Sequence, residues 1–131
     1  MGERLTRIFK FRGFARFQRK ERISDASLRK AIGGVEAGLI DADLGGGLVK
    51  QRLARTGQGK SGGYRTVIAI KRGDRAVFLY GFAKNERSNI DADELEEFRQ
   101  LARGFLGLTA QQIAALITDN ELMEVTYDDD R

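Results

Sequence analysis

The 131-residue chain has neither cysteine nor histidine. Without cysteine, disulfides and thiolate metal sites are excluded, and a reducing cytoplasm is compatible. Without histidine, the commonest general base and metal ligand is missing. No apolar run approaches the roughly 20 residues that a membrane-spanning helix needs. The opening Met1–Arg7 holds no signal-peptide apolar region. The expectation is a cytoplasmic protein of one domain, residues 1–131, able to bury a core without staples, with an acidic disordered tail over 127–131. With no metal ligand set or cofactor motif, any chemistry falls to cations.

Acid is scarce over most of the chain. Residues 1–90 carry a net charge of +12 and residues 91–131 a net of −8, which together return the overall +4. A basic body of this kind suits a polyanion such as nucleic acid. The basic face would attract an acidic segment, either a partner's or the chain's own acidic C-terminal third.

The order of elements reads β-α-α-β-β-β-α-α-β, an α+β arrangement with a mostly antiparallel sheet. Leu5–Lys10 reads as a strand. Phe11, Phe14 and Phe17 then recur at helical spacing, with Arg12, Arg16, Arg19, Lys20 and Arg22 around them. Ser24 caps a second helix to about Ala37, with Leu28, Ile32 and Val35 as its apolar face. Gly33-Gly34 inside it costs about 1 kcal/mol per residue relative to Ala and predicts close packing there. Asp41–Gly47 reads as a loop, with Gly45-Gly46-Gly47 a flexible turn. Leu48–Arg55 alternates with cations on both faces, as an edge or a half-open strand does. Gly59-Lys60-Ser61 resembles part of a phosphate loop, but the Walker spacing is absent and a strand, not a helix, follows. Beyond Lys84, Asp91-x-x-Glu94 and Thr109-x-x-Gln112 read as capping boxes of two further helices. Glu121–Thr126 reads as a last strand.

The most informative stretch is the hairpin between. Gly62–Ile70 and Ala76–Ala83 flank Arg72-Gly73-Asp74-Arg75, read as a two-residue turn centred on Gly73-Asp74. That register sets Arg65 opposite Phe82, with Lys84 two residues further along the same face. Val67, Ala69, Phe78 and Tyr80 share the Arg65 face. Thr66, Ile68, Ile70, Val77, Leu79, Gly81 and Ala83 are expected to pack on helices. Arginine matches phosphate bidentately and stays protonated, so Arg65 and Arg87 suit transition-state charge. A lysine becomes a base when burial or neighbouring cations lower its pKa, and Lys84 and Lys60 are the candidates. Tyr64 and Tyr80 are candidates to stack on a base, with packing as the alternative for Tyr64.

Gly63-Tyr64-Arg65 opening one strand, then Phe82-Ala83-Lys84-Asn85-Glu86-Arg87-Ser88 closing the next, resembles the RelE/ParE superfamily of toxins from bacterial toxin–antitoxin modules. The likeness is greatest to the HigB-like branch of RelE toxins and spans roughly residues 5–106. It implies a RelE-like α+β fold. The expected sheet has four to five strands, with N-terminal helices on one face and further helices at the C-terminus. It implies metal-independent cleavage of mRNA in the ribosomal A site, with Arg65, Lys84 and Arg87 at the matching catalytic positions. Lys50 and Arg52 match basic residues of the preceding strand, and with Tyr64 and Tyr80 complete an expected RNA-binding set. The chain departs from RelE at Asn85, where RelE has arginine, and at Asp91, where it has a catalytic tyrosine. The resemblance also implies a cognate antitoxin, often with a helix-turn-helix domain, in a hetero-oligomer. The alternatives are a ParE-like toxin that inhibits DNA gyrase without catalysis, and an RNA-binding module without activity.

Overall fold

The computed structural model describes residues 6–53, 63–87 and 89–127. The elements in chain order are β1 (Arg7–Phe11), α1 (Arg12–Glu21), α2 (Asp25–Glu36), β2 (Ala42–Gly45), β3 (Leu48–Leu53), β4 (Tyr64–Lys71), β5 (Arg75–Ala83), α3 (Ala92–Leu106), α4 (Ala110–Thr118) and β6 (Leu122–Val125). The strands form one six-stranded sheet in the order β2-β3-β4-β5-β1-β6. Among the described strands, only the β1–β5 pair is parallel. None of the helices, among the described residues, is long and apolar enough to cross a membrane.

Alternation along the strands sorts two cores, one on each face. Ile8, Ile68, Ile70, Ala76 and Phe78 pack with Phe14 of α1 and with Leu28, Ile32 and Val35 of α2. Phe9, Leu48, Val67, Ala69, Val77 and Leu79 pack with Ala102 of α3 and Ile113 of α4. The N-terminal helices therefore cover one face and the C-terminal helices the other.

The phenylalanine stripe divides between these cores. Phe14 and Phe17 belong with the first, while Phe11 sets its ring 5.7 Å from Phe105 against the second. Phe11 is the last residue of β1, so the strand period and not the helix period aims it. Gln18, not a third Phe, completes the buried face of α1, and it donates to the Ile23 carbonyl and to Asp25. The expected cap of α2 is present, Ser24 accepting from the Ser27 N–H at 3.1 Å. Close packing occurs at Gly34, where a Cβ would lie 3.1 Å from the Gln51 amide nitrogen, but not at Gly33.

Several expectations on the sheet need correction. Ala42–Gly45 is a strand and not a loop, which raises the sheet to six strands and makes β3 interior. Gly45-Gly46-Gly47 is the tight turn between β2 and β3, with φ of +88°, +65° and +85°, angles that favour glycine. The β4–β5 turn spans three residues, Arg72–Asp74, because Lys71 pairs with Arg75. A bulge at Leu79 then adds one residue to β5 and restores the expected register, so Arg65 does pair with Phe82. Between turn and bulge the faces exchange: Phe78 packs under α1, whereas Val77 and Leu79 join the Arg65 face.

The acidic C-terminal third is drawn onto the basic body by ion pairs. Arg7 meets Glu124 at 2.9 Å, Arg12 meets Glu121 at 3.5 Å and Arg87 meets Glu94 at 2.6 Å. Arginines also fasten α3 from below. Arg75 donates to the Phe105 and Leu108 carbonyls at the helix C-terminus, where a cation complements the dipole. Arg99 donates to the Leu44 carbonyl of β2. The Tyr127 hydroxyl donates to the Thr6 carbonyl at 2.6 Å.

Candidate nucleic-acid interface

Three adjacent strands bring the site together. Arg52 on β3 pairs across with Arg65 on β4, and Arg65 pairs with Phe82 on β5. Lys50 lies two residues before Arg52 on the same face. Like charges placed opposite each other on a sheet repel. The Arg65 guanidinium is relieved by an ion pair with Asp41, whose Oδ2 lies 3.1 Å from Nε. Arg65 is held there largely out of solvent, its side chain 13% exposed. Arg52 is exposed and has no ion-pair partner among the described residues.

Arg87 is the second anchor. Its guanidinium grips Glu94 through both terminal nitrogens, at 3.0 and 2.6 Å. It also donates to the Tyr80 hydroxyl at 3.1 Å and to the Asn89 carbonyl at 2.9 Å. The charge stands 5.5 Å above the Phe82 ring, a cation–π distance. Four of the five donors are thus committed, leaving one Nη2 hydrogen. Glu94 also closes the capping box of α3, accepting from the Asp91 N–H while Asp91 accepts from the Glu94 N–H. One carboxylate therefore ties the exit of β5 to the start of α3.

The Arg87 hydrogen bonds, with the Asp91 N–H, hold the Glu94 carboxyl down at about 2, below the ordinary 4.5. The same pair raises Arg87 further above the usual arginine range. A depressed carboxyl contributes stability above pH 4.5 that is lost as pH falls through about 2. Both groups sit at the surface, which keeps the contribution small. Urea midpoints between pH 5 and 2 should fall less steeply in Glu94→Gln than in wild type. Parallel curves would mean that the pair adds nothing to folding.

The remaining sequence candidates separate. Lys84 starts the turn after β5, its backbone N–H donating to the Gly63 carbonyl at 3.2 Å, so the pairing continues one residue past the strand. Its ammonium is exposed, without an ion-pair partner among the described residues. Lys50 reaches the Asn89 side-chain oxygen at 3.4 Å, which joins β3 to the Arg87 cluster. Tyr80 packs between Phe82 and Phe98 and presents its hydroxyl to Arg87. Tyr64 points to the opposite face: it is buried, edge-on to Phe17, and donates to Glu21 at 2.9 Å. Its placement is that of a packing residue. Lys60 lies outside the described residues. Asn85 is an exposed turn residue, and Asp91 is the N-cap of α3.

Asp41, Phe82, Asn89 and Glu94 belong to this cluster although the sequence reading gave them no part in the site. Glu94 carried a signal, the capping box, that spoke only of the helix. Asp41 carried none, because it lies in the loop just before β2 and meets Arg65 only through the tertiary fold.

Residues 6–125 match the family model described as the RelE toxin of the RelE/RelB toxin–antitoxin system. No curated protein of similar sequence was found. The match spans the whole sheet, both helical layers and every strand that carries the cationic cluster. The chain belongs to the RelE family of toxins, the toxin components of toxin–antitoxin modules, whose members generally inhibit translation.

Proposed function

We propose that this protein is a ribosome-dependent mRNA endonuclease. The observation that carries the reading is the Arg52–Arg65 cross-strand pair in a RelE-family chain. Two guanidiniums meet on one face, one held by Asp41 and one without an ion-pair partner among the described residues, beside the Lys84 turn.

The chemistry needs no group beyond RNA and these side chains. The 2′-hydroxyl attacks the adjacent phosphorus, a pentavalent phosphorane forms, and the bond to the 5′-oxygen breaks. The products are a 2′,3′-cyclic phosphate and a 5′-hydroxyl. Charge accumulates on the non-bridging oxygens, where Arg65 offers a planar fork and Arg52 and Lys50 add positive potential. Lys84 or Lys60, as the neutral amine, takes the 2′-hydroxyl proton, and the ammonium so formed returns it to the departing 5′-oxygen. Arg87 positions Tyr80 and the 87–94 segment, with one Nη2 hydrogen left for phosphate. Neutralising the acidic third by ion pairs leaves the outer face of α1 basic. Arg16, Arg19, Lys20 and Arg22 there are exposed and have no ion-pair partner among the described residues. A cognate antitoxin is expected to neutralise the basic surface, and its helix-turn-helix domain and the hetero-oligomer are part of this reading.

Primer extension on a reporter message in a translation extract tests the proposal. Added protein should give discrete stops on ribosome-engaged message and none on free message. An intact message together with blocked supercoiling by gyrase would replace this reading with the ParE-like one. An intact message with gyrase unaffected would leave neither.

A further inference from the structure

We propose that the recess beside Arg65 is a nucleobase subsite selective for guanine, with Asp41 reading the base edge. It rests on the ribonuclease reading only for the source of the base. The recess, of about 360 Å³, is lined by Leu39, Ile40, Asp41, Gln51 and Arg52.

Its existence follows from a mismatch of strand lengths. β2 begins at Ala42, opposite Lys50, and so stops short of Arg52. Backbone groups alternate in direction along a strand. The Gln51 carbonyl faces β4, where it accepts from the Thr66 hydroxyl at 2.9 Å. The Arg52 N–H and carbonyl therefore face the other way, over the recess. No backbone group of the described residues meets them from that side. Gln51 forms a fixed floor: its amide donates to the Leu39 carbonyl at 3.0 Å and accepts from the Asp41 N–H at 3.2 Å. That clamp sets the backbone from which the Asp41 carboxylate projects.

The walls suit a flat heterocycle. Leu39, 72% exposed, and Ile40 supply an apolar side, and the Arg52 guanidinium supplies a plane on which a base can stack. Selectivity comes from the carboxylate. An ionised Asp only accepts, at about four lone-pair positions, and the ion pair of Arg65 with Oδ2 leaves room on the carboxylate for further donors. Guanine alone presents two neighbouring donors, N1–H and the N2 amino group, to the two oxygens of a carboxylate. Adenine and cytosine place a ring acceptor beside their amino group. Uracil flanks its one N–H with carbonyls. Each of those acceptors is repelled by the carboxylate. A phosphate that draws Arg65 off Asp41 also frees Oδ2 for the base, so phosphate and guanine should bind together.

Titration with the four nucleoside 3′-monophosphates, followed by amide chemical shifts, tests the subsite without requiring cleavage. Guanosine 3′-monophosphate should bind at least about fivefold more tightly than the other three. Shifts should centre on Leu39–Asp41 and Arg52. Asp41→Asn should erase the preference while keeping affinity for phosphate. Leu39→Ala, at an exposed position that cannot unfold the protein, should weaken all four without altering their order. Equal affinities in wild type, or a guanine preference that survives in Asp41→Asn, would overturn the proposal. A guanine preference in a protein that cuts no message would instead retain the subsite and remove the ribonuclease reading.

Discussion

Arg65→Ala should lower message cleavage by about 100- to 1,000-fold, the usual cost of removing one donor from a charge-stabilising site. The side chain has no role in either core, so the fold should persist. What it leaves behind is the Asp41 carboxylate, itself 25% exposed and now without an ion-pair partner among the described residues. Leaving a charged group without its partner costs about 1–3 kcal/mol, and the solvent access of Asp41 puts this case at the low end. Activity and stability can therefore be separated. Asp41→Asn combined with Arg65→Ala removes the orphaned charge, and its thermal midpoint should recover towards wild type while cleavage stays lost. Arg65→Lys keeps the charge but not the planar fork, and should recover only part of the activity. Growth arrest on induction gives the cell-based readout. A fully toxic Arg65→Ala would move the chemistry away from this strand.

How far the sequence reaches is clearest at the hairpin. The pairing of Arg65 with Phe82 was legible, although the turn holds one residue more than expected. The bulge at Leu79 cancels that extra residue before the register reaches Arg65. A bulge leaves no mark in an apolar run such as Val77-Phe78-Leu79, because all three residues are buried whichever face they take. For that reason the face of Phe78 was not legible while that of Arg65 was. The helix caps at Ser24, Asp91 and Thr109 were readable because they are local hydrogen bonds between residues three apart. β2 was hidden because Ala42–Gly45 is short and carries glycine at its end. The partners of the cations were hidden for a different reason: Asp41 lies 24 residues from Arg65, and nothing local announces the meeting. Sequence spacing located the cations, whereas tertiary packing decided which are free. By that criterion Arg52 and Lys84 are available to a ligand, and Arg87 largely is not.

Gly81→Ala should destabilise the protein by about 1–3 kcal/mol, the cost of overpacking a filled core. Glycine inside a strand often marks a close approach. Here an added Cβ would lie 2.5 and 2.7 Å from two ring atoms of Phe17 and 3.1 Å from one of Phe14. The Phe14 ring has no room to retreat, and the half-buried Phe17 must shift against its neighbours. Phe14 is fully buried against Phe78 at 5.0 Å, and Phe17 stands edge-on to Tyr64 at 5.5 Å. The methyl group must therefore lift α1 or push β5 towards the opposite face. The second movement reaches the site, because Tyr80 and Phe82 flank Gly81 and support Arg87 from that opposite face. Cleavage should fall along with the thermal midpoint, although the substitution touches no RNA-facing residue. Phe17→Leu removes the ring atoms that the methyl group meets. The double variant should be more stable than the two single effects add up to. Strict additivity would show that α1 yields freely. The strand could then not transmit strain across the sheet, and a fall in cleavage in Gly81→Ala would need another cause.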